Sequence, residues 1–355
     1  MKILFIPEQN ERNTIARIPS LMMVLSKRHS LTALPSTLLH SPHPIFDRPF
    51  KIVERLAELF KALFLNCDLF DDVDIVFASQ GRHALIGSII AKKLRRPFIF
   101  DSHGNPELLC RNLNAGYFFR LRNILPEKNL LGKTKKIITV SETDRIAYIR
   151  MGFNENTVEV IPTCVDFDDV NSIAKAEARN MLGLPVDIKI ILFLGSYNYF
   201  PNLEAANFIN DRLAPSFPEA KIILAGRGKL DIPFKDNVDF RGFVDNLGPY
   251  ISASDICIAP IWRGVGILEK VLQMMAYGKP TVVTPFALLG IPELENNKNC
   301  LVADTEAGFA DKIRALIAGA DLGQSIGDNA KELILKKYNW SLFEEILFRV
   351  IESAR

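Results

Sequence analysis

The chain has 355 residues, with 43 Lys+Arg, 41 Asp+Glu and 5 His, for a formal net charge of +2. Hydrophobic residues make up 48% and charged residues 24%, so disorder, collagen and coiled coil are excluded as descriptions of the whole chain. At roughly 100–200 residues per domain, the length implies two domains, each with its own buried core.

The first element is KILFIP (2–7), an apolar run too short for the core of a signal peptide. VDIVFAS (73–79), PFIFDSH (97–103), KKIITVS (135–141) and VEVIPT (158–163) follow. Each is short, continuous and rich in Val, Ile or Phe, as strands covered on both faces are. Helical spacing separates them, as in 81–94, where Leu85, Ile86, Ile89 and Ile90 share a face. This β-α-β alternation predicts an α/β domain with a parallel sheet.

A second alternation runs through IKIILFLGS (188–196), AKIILAG, VDFRG (238–242), ICIAPI (256–261), PTVVTP (280–285) and NCLVAD (299–304). Between the two series, 166–185 holds one weak helix and a turn at Gly183-Leu184-Pro185. The domains are read as 1–168 and 169–338, with a closing helix over 339–355 that Ser341 caps. Two doubly wound domains in tandem place a cleft between the carboxyl ends of two sheets, where ligands bind in such folds.

The chemistry-bearing residues gather at strand ends of the second half. Gly195 and Ser196 end one strand, and Asn202 is read as the cap of a helix over 203–213. Glycine there lets backbone approach a ligand, although a tight βα turn requires it equally. Ala225-Gly226-Arg227-Gly228 and Arg241-Gly242-Phe243-Val244 lie on the same predicted edge. Trp262-Arg263-Gly264-Val265-Gly266-Ile267-Leu268-Glu269-Lys270 is a Gly-rich loop entering a helix that closes at Gly278. Such a helix start holds a diphosphate by amides and dipole. Lys270 stands in the first turn, where helix stability does not call for a cation, and is expected to be exposed until a phosphate binds. A solvated lysine reads equally from that position.

The five cysteines (67, 110, 164, 257, 300) form no CxxC pair, which argues against disulfides and structural zinc and fits a reducing cytosol. No uncharged apolar run approaches the ~18–20 residues that span a bilayer. Residues 1–165 hold 23 Lys+Arg and 16 Asp+Glu, whereas the remainder holds 20 and 25. The halves therefore meet different partners, or differ by ordinary scatter between domains. The basic residues form no block interleaved with aromatics, so nucleic acid is not an expected partner. Residues 51–64 are amphipathic at helical spacing, which marks either a core face or, with the basic first half, a peripheral contact with anionic membrane. His40, His43 and Asp47 fall within eight residues, but in a Pro-rich loop, so no metal site is expected.

The order strand–GS–aromatic–PN, AGRG, RGFVDNLGPYISASDICIAPIWRGVGILEKVLQMMAYGKPTVVTP, GIPEL, NNKNCLVAD and a late YNW resembles retaining glycosyltransferases of the GT-B fold. The likeness is to the nucleotide-sugar-dependent family four, which includes sucrose synthases and lipopolysaccharide mannosyltransferases. It spans the chain and is strongest from Ile190 to Trp340. It implies that Gly195 and Ser196 lie against the donor phosphates and that Gly242, Phe243 and Val244 pass the nucleobase. Gly264, Gly266, Ile267, Leu268, Glu269 and Lys270 would bind the diphosphate. Gln273 stands where the family carries the second Glu of a pair, which holds the ribose. His103 matches the histidine that reaches the transferring sugar or the leaving phosphate.

The sequence departs from that pattern at four places. Val265 and Gln273 replace both glutamates; Glu269, four residues before Gln273, shares its face. Pro7-Glu8-Gln9-Asn10 stands for a Gly-rich loop, Thr163-Cys164 for Asn-Gly, and 196–202 lacks the usual basic pair. The resemblance implies a cytoplasmic retaining transferase of polysaccharide biosynthesis. Its donor would be a UDP- or GDP-sugar, its acceptor a carbohydrate or a lipid-linked molecule, and it would need neither cofactor nor metal. Two alternatives share the fold: a degenerate nucleotide or partner binder without turnover, and a nucleotide-sugar 2-epimerase.

Overall fold

In the computed structural model, residues 1–6, 17–34, 64–65, 70–79, 81–130, 132–167 and 170–355 are described. The loop Pro7–Asn10, the His40/His43/Asp47 group and the stripe over 51–63 lie outside them. Phe64, at the end of that stripe, is exposed.

The first six strands are parallel. β1 (Lys2–Ile6) pairs with β2 (Ser30–Ala33) and with β3 (Ile75–Ser79), followed by β4 (Phe98–Ser102), β5 (Lys136–Thr139) and β6 (Val158–Val160), in the order β2-β1-β3-β4-β5-β6. Helices α1 (Arg17–Ser26), α2 (Gly81–Leu94), α3 (Pro106–Asn112), α4 (Tyr117–Lys128) and α5 (Glu142–Arg150) alternate with them. β1, β3 and β4 are almost wholly buried, which is why they read as unbroken apolar runs. β2 has the sequence SLTA and is largely exposed at the sheet edge, so hydrophobic patterning does not announce it. On α2 the buried apolar positions are Ala84, Ile86, Ile90 and Ala91, while Leu85 and Ile89 are half-buried at the margin of the same core.

The second series forms its own parallel sheet. β7 (Ile190–Leu194), β8 (Lys221–Ala225), β9 (Val238–Gly242), β10 (Ile256–Ala259), β11 (Thr281–Val283) and β12 (Leu301–Val302) take the order β12-β11-β10-β7-β8-β9. The order reverses between β7 and β10, the switch point beside which doubly wound sheets bind ligands. Its helices are α6 (Lys175–Leu182), α7 (Phe200–Phe208), α8 (Gly248–Ala253), α9 (Glu269–Ala276), α10 (Phe286–Gly290), α11 (Glu306–Ala318) and α12 (Ala320–Lys337). One core lies between sheet and helices, with Phe193, Phe217, Ile222, Ile258 and Phe309 inside it.

The chain divides into Met1–Pro162 with Phe343–Arg355, and Thr163–Leu342. The division falls a few residues from the boundaries at 168 and 338 read from sequence. Val165 bridges Asn339 and donates its N–H to the Tyr338 carbonyl at 2.7 Å, which fixes both strands of the linker in the second unit. The closing segment is a 3₁₀ turn (Trp340–Leu342) and then α13 (Glu344–Ser353). Ser341 is therefore not the cap of α13; it sits inside the turn, and its N–H donates to Asn339 Oδ1. α13 packs within the first unit, where Lys27 and Arg28 pair with Glu344 and Glu345.

Candidate functional site

At the carboxyl edge of the second sheet, three glycine-bearing loops are laced by backbone. Gly195 donates to the Ala225 carbonyl (3.0 Å), Tyr197 to Arg227 (2.7 Å), and Gly226 to Gly242 (2.7 Å). Gly226 has φ +140°, and a Cβ there would lie 1.9 Å from the Gly195 oxygen, so only glycine lets these loops touch. Ser196 is half-buried, and its carbonyl accepts from Asn202 Nδ2 at 2.9 Å. Phe243 is 45% exposed under the Arg227 guanidinium, 5.8 Å from the ring centre, and Val244 is half-buried.

Across the switch point, the loop after β10 carries Gly264 (φ +155°) and Gly266 (φ +74°). The Val265 N–H bonds the Tyr199 hydroxyl, whose own pKa is raised by burial and drawn back by that bond. Tyr199 thus ties the loop after β7 to the Gly-rich loop. From below, Gly290 supports Gly266: a Cβ on Gly290 would meet the Gly266 oxygen at 2.7 Å. α9 starts at Glu269 with Leu268 as its cap, so Ile267 and Leu268 precede the helix rather than open it. Ile267 is buried and Leu268 packs on the core, leaving their backbone to serve a ligand.

Lys270 is not the exposed side chain that the sequence suggested. It is half-buried, donates to Asn202 Oδ1 at 2.5 Å, and its ammonium lies 4.4 Å from the Phe193 ring centre. Burial lowers its pKa to about 7. Asn202 is not a cap either: α7 begins at Phe200, and Asn202 is a buried residue of its first turn. A Cβ on Gly195 would lie 3.2 Å from the Asn202 side chain, so glycine at 195 makes room for this partner of Lys270. Gln273 is 7% exposed, one helical turn beyond Lys270. The structure thus gathers Gly195, Ser196, Gly242, Gly264, Gly266 and Lys270 along one sheet edge. The sequence reading missed Asn202, Tyr199 and Phe193 as members. Pro201-Asn202 carried a signal, misread as a cap, whereas Phe193 is indistinguishable from any core strand residue.

His103 belongs to the first unit. It follows β4, and its Nε2 lies 2.8 Å from Asp101 Oδ2. Asp101 is fully buried and takes two hydrogen bonds from Arg17 on Oδ1, from Nε at 3.0 Å and Nη2 at 2.7 Å. Burial alone would raise the Asp101 pKa; the charges of Arg17 and His103 outweigh it and hold the carboxyl well below the usual range. Nearby, Ser141 caps α5, and Asp144 accepts from the Asn105 N–H at 2.8 Å. Among the described residues, no three His, Cys, Asp or Glu side chains are placed to hold a metal ion, and no helix is long and apolar enough to cross a membrane.

Two family models match the chain: "Glycosyltransferase Family 4" over residues 23–169 and "Glycosyl transferases group 1" over residues 188–319. A curated relative, an uncharacterized glycosyltransferase of Methanocaldococcus jannaschii, is 27% identical over 177 residues. That match covers 48% of this chain and 38% of the relative. Among solved structures, Anabaena HepE in complex with UDP and glucose superposes with TM-score 0.78 at 16% identity, over 99% of this chain and 100% of that one. Sucrose-phosphate synthase from Thermosynechococcus elongatus gives 0.75 at 16% identity, with 100% of both chains covered. These likenesses give the fold: two Rossmann-like domains of the GT-B type.

Proposed function

We propose that this chain, whose two halves match glycosyltransferase family models, moves a sugar from a UDP- or GDP-sugar to a glycan, lipid-linked or small-molecule acceptor with retention at the anomeric carbon. The observation that carries the reading is Lys270, with its ammonium held by Asn202 beside the Gly264–Gly266 loop at the start of α9. A lysine amine held in place, able to take up a proton as a phosphate arrives, and a helix N-terminus suit a leaving diphosphate. As the bond from the anomeric carbon to the diphosphate oxygen breaks, the acceptor oxygen bonds that carbon on the same face. The acceptor proton passes to the departing phosphate, so neither a separate base nor a cofactor is invoked. His103 is assigned to the transferring sugar, with its ring oriented by Asp101. The UDP and glucose held by the Anabaena structure support a nucleotide-sugar donor. The basic first half, where Tyr117 and Phe118 are 70% and 85% exposed beside Arg120, supports a peripheral contact with anionic membrane. Co-sedimentation with anionic but not neutral liposomes tests that contact.

A donor screen read by mass spectrometry, with calorimetry against UDP and GDP, tests the main reading. One nucleotide binds and its sugar is transferred; failure of every nucleotide to bind overturns the assignment. Val265 and Gln273, where the resemblance has glutamates, favour a second reading of binding without turnover. Binding with neither transfer nor hydrolysis would establish it.

A further inference from the structure

Beside α7, with Trp262 and Arg263 in its lining, lies a cavity of about 360 Å³. That volume is within the ~300–1,000 Å³ typical of small-molecule sites. Its floor is apolar and buried: Pro201, Phe208 and Pro260. Trp262 forms one wall. Its ring meets Phe208 edge-on at 5.0 Å and leans on buried Phe309 at 6.1 Å, yet the residue stays 39% exposed. An indole fixed by two rings and left open to solvent is a rigid platform.

The rim is polar. Glu204 is bound by Arg263, whose Nε donates to it at 2.8 Å. Asn207 and Glu306 complete one side. Asp211 and Arg212 reach the rim from a π-helical turn (Ile209–Leu213) that continues α7. Such wide turns are rare and recur at functional sites. Here the turn is braced by Asn210, whose amide donates to Asp211 Oδ1 and to the Pro233 carbonyl. The lining holds three carboxylates (Glu204, Asp211, Glu306) and two guanidiniums (Arg212, Arg263), so a phosphate finds no surplus cation. A neutral polyhydroxylated ligand fits both features. The C–H face of a pyranose is apolar and lies on an indole, while its hydroxyls bond carboxylates and amides in pairs.

We propose that this cavity is a carbohydrate-docking subsite, distinct from the diphosphate site, which seats one end of a neutral oligosaccharide with a pyranose on Trp262. The choice of ligand rests on reading the chain as a sugar transferase. The chain has two tryptophans, and Trp340 is 2% exposed, so emission open to a solvent quencher comes from Trp262. The wild-type chain is titrated, without nucleotide, with maltotriose, α-mannotriose, cellotriose and chitotriose. At least one protects Trp262 from acrylamide, binds by calorimetry, and is not displaced by UDP or GDP. Trp262→Ala weakens that binding at least about tenfold, ~1.4 kcal/mol, with nucleotide affinity unchanged. If Trp262→Ala fails to fold, Glu306→Ala on the exposed rim replaces it, with several-fold weakening expected. Four inert trisaccharides, displacement by nucleotide, or a variant that binds like wild type would overturn the proposal. Absence of nucleotide binding would count against the transferase reading alone, because the trisaccharide signal is independent of it.

Discussion

Lys270 donates to Asn202 Oδ1 at 2.5 Å while its ammonium stands 4.4 Å from the centre of the Phe193 ring. A single neutral acceptor and a ring face do not replace full hydration, so the pKa falls to about 7. A diphosphate bound there, as proposed, would restore the charge. Nucleotide binding is therefore expected to take up a proton above about pH 7, and affinity to fall as pH rises through that value. Calorimetry near pH 8 in two buffers of different ionisation enthalpy reads the uptake directly. Lys270→Met should abolish it.

The same lysine has a stability signature. Its folded pKa of about 7 lies below the unfolded value of ~10.4, so between these values the unfolded chain binds more protons. Its contribution therefore becomes more favourable as pH rises through that window and is least favourable below it. Lys270→Met should melt higher than wild type at pH 6–7, with the gap closing towards pH 10. Lys270→Ala should also cost about 2–4 kcal/mol of transition-state stabilisation. Wild-type turnover with a raised melting temperature would leave the lysine a structural oddity.

Gln273, at 7% exposure, makes the ribose assignment testable by stability. Gln273→Glu places a carboxylate where little water reaches, expected to cost about 1–3 kcal/mol in the empty protein. A ribose at this position would offer hydroxyl donors to that carboxylate, so saturating nucleotide should narrow the deficit. Melting curves with and without UDP or GDP decide the matter. A deficit that nucleotide leaves untouched assigns Gln273 to helix packing.

Much of this was legible in the sequence, and the exceptions have physical causes. Parallel strands buried on both faces read as apolar runs, so eleven strands were foreseen, whereas SLTA, at an exposed edge, gave no signal. The Gly195, Gly226, Gly242, Gly264 and Gly266 positions were legible because close backbone approach and positive φ leave their mark in composition. Partners of those positions were not. Asn202 has the sequence context of a cap, and only the first-turn placement of Pro201 inside α7 moves it into the helix. Ser341 failed as a cap for a related reason: a 3₁₀ turn intervenes before α13. Arg17 and Asp101 are 84 residues apart, and no local pattern announces their pairing.

That pair yields a double-mutant test. Arg17 and Asp101 both have side chains at 0% exposure. Removing one partner leaves an uncompensated buried charge, which typically costs ~3–5 kcal/mol, whereas removing both is far milder. Arg17→Met and Asp101→Asn should each destabilise strongly, and the double variant should recover most of the loss in urea titrations. If Asp101 also orients His103, the double variant should regain stability without regaining turnover. Full recovery of both would make the pair purely structural.

Glu127 offers a test of the first unit's interior. It is buried, it accepts from the Tyr148 hydroxyl, and that hydroxyl lies 2.8 Å from Ser102 Oγ. Burial raises the Glu127 pKa to about 8; the Tyr148 hydrogen bond opposes the rise and the neighbouring Asp144 adds to it. The carboxyl is thus mostly neutral at pH 7. Its folded pKa lies above the unfolded value of ~4.3, so the stability it contributes is fully present below pH 4 and is lost as pH rises to about 8. Gln keeps the shape and the acceptor but cannot ionise. Glu127→Gln should therefore match wild type near pH 4–5 and melt progressively higher than wild type as pH rises to 9. Parallel pH profiles for the two proteins would instead mean that Glu127 is ionised in the fold, with its charge met by a group other than Tyr148.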